Sequence, residues 1–278
     1  MERIQTAIAK ARAARHALAG TAPQADAPGA TPAPASGEDL AAAWMELAEA
    51  PLDPRRLAAG RIVAHRPGPE AAAFDLMRTN LMRHLRVHGW TRVAITSPTS
   101  ACGKTTTSLN LAFSLARQAD LRVMLLELDL RRPAMARTLG LVSQCRFSGV
   151  LDGSETVQHQ LLRWGTNLAF GLNSVPVPSP AELLSSARAA EAIDAIEDRF
   201  RPDVILFDMP PTLASDDTIA FLDQVDCALM VAAAEQSTVG EIDRTGKELA
   251  EHTKVLGVVL NKCRFMDRED GYGYSGDY

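Results

Sequence analysis

The sequence is poor in tyrosine, in long apolar runs and in paired cysteines. Only three tyrosines occur among 278 residues, and all of them lie in the segment GYGYSGDY at 271–278. No run approaches the roughly 18–20 apolar residues that a membrane span needs, which argues against direct membrane insertion. The four cysteines form no C-x-x-C pair, and the start MERIQTAIAK has no apolar signal region. These absences predict a cytoplasmic protein in a reducing compartment.

The remaining composition is that of a globular protein. Apolar residues make up 46% of the chain and charged residues 23%, with a net charge of −5. This balance does not favour a nucleic-acid partner. The length allows one large α/β domain with short appendages.

Changes in amino-acid composition and apolar patterning divide the chain into five parts. We expect a helix over 1–19, either a weakly ordered leader or a docking helix for a partner. A disordered Ala/Pro/Gly-rich linker should follow over 20–37, then a short helix (38–50) and an extended connector, together covering 38–69. The main domain should span 70–265, and a flexible tyrosine-rich tail 266–278.

Short apolar runs alternate with helical segments after residue 70. A helix is predicted over 70–88. The predicted strands are 92–97, 122–129, 167–172, 203–208, 227–234 and 254–260. Nearly continuous apolar strands are typical of a parallel sheet covered on both faces. The sequence therefore predicts a doubly wound, mainly parallel α/β sheet whose ligands bind at the carboxyl ends of its strands.

A phosphate-binding loop is predicted after the first of these strands. In SPTSACGKTTTSLNLAFSLA, Gly103-Lys104-Thr105 opens a helix whose amides can hold phosphate oxygens. Lys104 would reach the β- and γ-phosphates and Thr105 would bind Mg²⁺. Pro98 replaces the first glycine of the strict motif, and Gly-Lys-Thr alone could be an ordinary helix start. The predicted nucleotide-contacting residues in this loop are Ser100, Ala101, Cys102, Gly103, Lys104, Thr105 and Thr106.

Two further strands end in acids. Glu127 and Asp129 lie two apart in VMLLELD, and a continuous strand would project both from one face. Asp208 ends VILFD. Buried carboxylates beside a phosphate loop favour Mg²⁺, so Thr105, Asp129 and Asp208 are candidate metal ligands. Alternatively, the first two acids could be solvated partners of Arg131 and Arg132.

Taken in order, these motifs resemble the bacterial tyrosine kinases (BY-kinases) of capsule and exopolysaccharide synthesis. The resemblance covers about residues 60–278 and rests on segments that follow the family's order. These segments are MRTNL, SPTSACGKTTTSLNLA, LLELDLRRP, GVLDG, PSPAELLSS, ILFDMPP and GVVLN. The family shares its P-loop branch with partition and division ATPases.

The resemblance implies an ATP- and Mg²⁺-dependent tyrosine autokinase. It assigns catalysis to Lys104, Glu127 and Asp129, with Glu127 assisting tyrosine deprotonation, and it places Asn261 near the nucleotide base. The acceptors would be Tyr272, Tyr274 and Tyr278.

The resemblance also implies a partner. A membrane polysaccharide co-polymerase, or chain-length determinant, would act as activator and recruit the chain to the inner face of the membrane. Homo-oligomers are possible.

Three departures from the family pattern stand out. Glutamate at 127 replaces the usual aspartate, and Ala101 replaces a common glycine. The assembly motif E-x-x-R-x-x-R reads Ala72, Asp75, Arg78, so only its last position is kept.

Two other functions stay open. A partition- or division-type ATPase would carry a lysine where Thr99 stands and would end in a basic or amphipathic helix rather than a glycine/tyrosine-rich tail. A nucleotide-binding pseudokinase would regulate polysaccharide synthesis without phosphoryl transfer.

Overall fold

Eight strands form one sheet in the part of the chain that the computed structural model describes, residues 37–141 and 144–263. They are β1 (Ala48–Glu49), β2 (Arg92–Thr96), β3 (Val123–Glu127), β4 (Leu161–Trp164), β5 (Leu168–Gly171), β6 (Val204–Asp208), β7 (Cys227–Ala233) and β8 (Lys254–Asn261). The predictions for 1–36 and for the 266–278 tail lie outside the described residues.

Helices fill the connections between the strands. They are α1 (Gly37–Met45), α2 (Pro54–Ala59), α3 (Ala72–His88), α4 (Lys104–Ala116), α5 (Met135–Thr138), α6 (Phe147–Leu151), α7 (Val157–Gln160), α8 (Pro180–Leu184), α9 (Ala187–Phe200), α10 (Asp217–Phe221) and α11 (Val239–His252). The predicted helix over 70–88 is confirmed as α3, and Gly89 ends it in the left-handed conformation at φ +65°. None of the described helices is both long and apolar enough to cross a bilayer.

The strand order is β1-β4-β5-β3-β6-β2-β7-β8, and every pair is parallel except β4 with β5. The predicted doubly wound, mainly parallel sheet is thus confirmed. β2 lies between β6 and β7. The loop that follows β2 therefore opens at the centre of the sheet's carboxyl edge, where open α/β sheets bind ligands.

Alternate residues of the central strands feed two cores, one on each face of the sheet. Val93 and Ile95 of β2 join the core that contains Leu109 and Phe113 of α4. Ala94, between them, joins the opposite core with Phe207. This two-residue alternation explains why both faces of the central strands read as apolar.

Two stretches differ from the sequence predictions. The helix expected over 38–50 ends at Met45, and the connector that follows contains β1 and α2. The sequence analysis predicted no strand at β4, which pairs antiparallel with β5. β1 has only two residues and pairs with the chain-distant β4, while β4 has four residues of which three are only partly buried, so local pattern gives little sign of either strand.

Candidate functional site

The loop between β2 and α4 has a backbone that demands small residues. Ala101 and Gly103 both adopt left-handed conformations, at φ +63° and +91°. A Cβ at Gly103 would collide with the side-chain amide of Asn261, whose Nδ2 donates to the carbonyl of Cys102 at 2.9 Å. Glycine is thus required at 103, and the predicted base-contacting residue Asn261 is held against this loop.

Ala101 carries the strain that the family's glycine avoids. A left-handed conformation costs a residue with a Cβ about 1–2 kcal/mol. Since Ala101 is exposed, no buried packing of its methyl group offsets this cost.

Hydrogen bonds join this loop to the turn after β6. The Thr96 hydroxyl donates to the carbonyl of Pro210 at 2.7 Å. The amide of Thr212 donates to the carbonyl of Ser97 at 2.9 Å, and that of Leu213 to the carbonyl of Pro98 at 3.2 Å. The two loops that would enclose a nucleotide's phosphates are therefore fixed to each other.

Asp208 lies buried beneath the start of α4. Its Oδ2 accepts from the Thr105 hydroxyl at 2.7 Å and its Oδ1 from the Ser108 hydroxyl at 3.0 Å. Burial raises the pKa of Asp208 to about 6, against the opposing effects of Lys104 and Thr105. Sequence reasoning missed Ser108, although it follows Lys104 by four and Thr105 by three and so shares their side of the helix.

Asp129 completes a charged group with Lys104 and Asp208. Burial raises the pKa of Asp129, whereas the Lys104 ammonium lowers it. Lys104 is only 7% exposed. The predicted residues Lys104, Thr105, Asp129 and Asp208 are thus brought together at the start of α4.

This donor set fits a magnesium ion that also binds phosphate. Mg²⁺ in nucleotide sites is held by one or two carboxylates or hydroxyls, and substrate phosphates and water complete its coordination. Among the described residues, no group of three or more His, Cys, Asp or Glu could hold a metal alone. Thr105, Asp129 and Asp208 match the phosphate-dependent kind of site.

Glu127 does not belong to this group, which corrects the expectation that it shares a strand face with Asp129. β3 ends at Glu127, so Asp129 lies beyond the strand. The Glu127 carboxylate is fully buried. Its Oε1 accepts from the amides of Ala134 and Met135 at 2.6 and 2.7 Å, and its Oε2 from the amide of Asn173 at 2.8 Å. Because its carboxylate is buried and accepts from three backbone amides, the geometry favours a structural role for Glu127 over receipt of a tyrosine proton.

Arg131 has a different partner from the one that the solvated-acid alternative requires. Arg131 forms a two-pronged ion pair with the buried Asp217, at 2.6 and 2.9 Å. The backbone amide of Arg132 donates to Asp129 at 3.3 Å, and the charge of Arg132 also acts to lower the pKa of Asp129.

Asp75, at the middle position of the altered assembly motif, is engaged within the chain. It accepts from Ser114 of α4 at 2.6 Å and from Arg117 at 2.8 Å, while Arg78 lies 3.3 Å away. These bonds join α3 to the phosphate-loop helix. Assembly into a homo-oligomer stays a prediction.

Comparisons with known proteins agree with this architecture. Residues 93–270 match the family described as the CobQ/CobB/MinD/ParA nucleotide binding domain. The tyrosine-protein kinase YwqD of Bacillus subtilis is 31% identical over 183 residues, which are 64% of this chain and 76% of YwqD. The kinase domain of VpsO is 30% identical with a TM-score of 0.62, and the match covers 69% of this chain and 94% of that structure.

A longer relative matches only in part. EpsB of Ralstonia nicotianae is 30% identical over 207 residues, 74% of this chain, but the match spans only 27% of EpsB. The family assignment therefore rests on the nucleotide-binding domain. Together with the loop geometry, the comparisons show that the chain belongs to the bacterial tyrosine-kinase branch of the CobQ/CobB/MinD/ParA nucleotide-binding family.

Proposed function

We propose that this chain is an ATP- and Mg²⁺-dependent tyrosine autokinase that phosphorylates Tyr272, Tyr274 and Tyr278 of its carboxyl-terminal segment. The observation that carries the proposal is the convergence of Lys104, Thr105, Asp129 and Asp208 at the start of α4. Phosphoryl transfer depends on positioning and charge stabilisation, and this group offers both.

The residues of the site divide into groups that would bind phosphate, Mg²⁺ and the nucleotide base. The amides from Ser100 to Thr106 bind phosphate oxygens, and the Lys104 ammonium stabilises charge on the transferred group. Thr105, Asp129 and Asp208 hold Mg²⁺, which neutralises phosphate charge when bound. Asn261 lies beside the loop and is placed to contact the nucleotide base.

Asp129 is the acid best placed to orient the tyrosine hydroxyl. It lies near Lys104 and is only partly buried, whereas Glu127 is closed off by three backbone amides. Its carboxylate can accept a hydrogen bond from the incoming hydroxyl. In this proposal, Glu127 instead holds in position the loop that follows Asp129.

The biological setting we propose is the regulation of capsule or exopolysaccharide polymerisation and export. A membrane co-polymerase would recruit the chain to the inner face of the membrane and activate it. Deleting residues 1–37 should weaken capture by the cytoplasmic segment of that partner, because this region is the candidate docking element. Unchanged capture would remove it from consideration.

A transfer assay with radiolabelled ATP tests the kinase proposal. Purified full chain is incubated with Mg·ATP, with and without the cytoplasmic segment of the co-polymerase. Lys104→Met removes the phosphate contact, and a triple Tyr→Phe chain removes the acceptors. Lys247→Met is the matched control, since Lys247 is exposed and pairs with Asp243 on α11.

We expect label on tyrosine in the wild type and in the Lys247→Met control, and none in the other two variants. Mixing Lys104→Met with the triple Tyr→Phe chain tests transfer between copies, because one supplies acceptors and the other the active site. Mg·ATP binding without label under any condition would replace the proposal with the pseudokinase alternative, which the occupied Glu127 favours.

A further inference from the structure

A cavity lined by three arginines opens beside the first turn of α4. Its volume is 480 Å³, and its lining includes Arg56, Arg61, Arg137 and Thr106. The arginines come from three separate segments: α2, the turn that follows it, and α5. No acid lines the cavity in the part of the chain that the structure describes.

The backbone conformation at Arg61 is fixed by its surroundings. Arg61 has a left-handed conformation at φ +58°, which is costly for a residue with a long side chain. Asn110 of α4 fixes this turn: its Nδ2 donates to the carbonyl of Arg61 at 2.9 Å, and its Oδ1 accepts from the amides of Val63 and Ala64 at 2.8 and 3.0 Å. Strain that the surroundings enforce is typical of functional positions.

Close backbone packing fixes the other two arginines relative to each other. Arg56 donates to the carbonyl of Gly140 at 3.1 Å, and a Cβ at Gly140 would collide with the Arg56 side chain. Gly140 follows α5, which carries Arg137. The glycine lets the two segments approach, so the arginines face one cavity.

No acid among the described residues compensates the charges of these arginines. The guanidinium groups of Arg61 and Arg137 have no hydrogen bond or ion pair among the described residues, and Arg56 uses one donor on a carbonyl. Converging, unpaired guanidinium groups are suited to two-pronged recognition of phosphate.

The place of the cavity points to the phosphate it would bind. Thr106 in its wall directly follows Thr105, the hydroxyl partner of Asp208. The cavity therefore borders the same first turn of α4 that carries the proposed phosphate site. Each phosphotyrosine carries about −1.5 to −2 charges, which the three arginines could balance.

We propose that the arginine cavity binds phosphotyrosine side chains of the carboxyl-terminal segment after transfer, either of the same chain or of a second copy. This inference rests on the proposed kinase function. Retention of one phosphorylated tyrosine would hold the segment beside the active site while its other tyrosines are modified.

A binding experiment tests the cavity without requiring kinase activity. Phosphatase-treated full chain is titrated with a synthetic peptide of residues 271–278 phosphorylated on its three tyrosines. The unphosphorylated peptide and inorganic phosphate are compared, and each titration is repeated with saturating Mg·ADP. The variants are Arg61→Gln and Arg137→Gln, with Arg86→Gln on α3 as the matched control for charge.

The phosphopeptide should bind at least about tenfold more tightly than the unphosphorylated one, and each cavity variant should weaken it about tenfold. Arg86→Gln should change its affinity less than about twofold, as expected for a distant charge, and saturating Mg·ADP should not displace the peptide. Displacement by Mg·ADP would place the phosphate in the nucleotide site, and equal weakening by Arg86→Gln would indicate general charge attraction. Either result, or equal binding of both peptides, would overturn the inference. Thermal melts of each variant separate lost binding from lost folding.

Because the phosphopeptide is synthetic, this result stands apart from the transfer assay. Binding without autokinase activity would leave the cavity a phosphotyrosine site but remove the chain as the source of the phosphate. Transfer without binding would keep the kinase and reject the cavity.

Discussion

Two carboxylates on neighbouring strands have opposite surroundings. Glu127 ends β3, Asp208 ends β6, and the two residues are directly paired in the sheet. Both are fully buried. Backbone amides occupy Glu127, whereas Asp208 accepts from two hydroxyls and lies near the Lys104 ammonium. The donors around an acid, rather than its position at a strand end, separate a structural carboxylate from one that can serve a cation.

Neutralising Asp208 should have the largest effect on function. Asp208→Asn keeps the shape but removes the charge that would hold Mg²⁺, so we expect phosphoryl transfer to fall by about 100-fold or more. Stability should hold or rise, because a buried charge is replaced by an amide. Transfer rates and urea unfolding measure both, and transfer within threefold of wild type would contradict the assignment.

Replacing the Glu127 carboxylate by an amide should lower stability and leave nucleotide binding almost unchanged. In Glu127→Gln, the side-chain NH₂ would face a backbone amide donor, so the free energy of unfolding should fall by about 1–3 kcal/mol. Affinity for Mg·ADP should change little, because the carboxylate is bonded to the amides of Ala134, Met135 and Asn173 rather than to the phosphate loop. Urea unfolding and calorimetric titration test this, with Asp208→Asn as the matched control. Lost nucleotide affinity with unchanged stability would return Glu127 to the active site.

Titration of Glu127 should make the free energy of unfolding depend on pH. Burial raises its pKa from 4.5 to about 7, despite hydrogen bonds from three amides. The folded state thus binds the proton more tightly, and this stabilisation is complete below pH 4.5 and disappears as pH rises through about 7. Comparing unfolding of wild type and Glu127→Gln at pH 5 and 8 should show a smaller decline in the variant. Equal declines would exclude Glu127 as the titrating group.

Relieving the loop strain should give the smallest effect. Ala101→Gly removes the left-handed penalty but adds backbone freedom to the unfolded chain, so we expect a net gain of about 0.5 kcal/mol. Thermal melting measures it. Because Ala101 lies in the loop that Asn261 and Asp208 border, nucleotide affinity serves as the control and should stay within about twofold of wild type. A loss of stability would show that the alanine is not strained.

The sequence predicted the central strands well because each is a short, nearly continuous run of apolar residues. Val93 to Thr96 and Val204 to Phe207 are buried on both sides of the sheet, so their sequences alone mark them as strands. The two-residue β1 depends on pairing Ala48 and Glu49 with chain-distant Leu162 and Arg163. No local periodicity encodes such a pairing.

The sequence by itself determined the order of the motifs: Gly-Lys-Thr before a helix, an acid after each of two apolar strands, and tyrosines confined to the end of the chain. Spacing along a strand could not show that Glu127 turns into the protein interior while Asp129 approaches Lys104. That outcome depends on where β3 ends and on the amides of Ala134, Met135 and Asn173, which only the folded chain assembles. The arginine cavity likewise exists only in three dimensions, because its walls come from segments as far apart as Arg56 and Arg137.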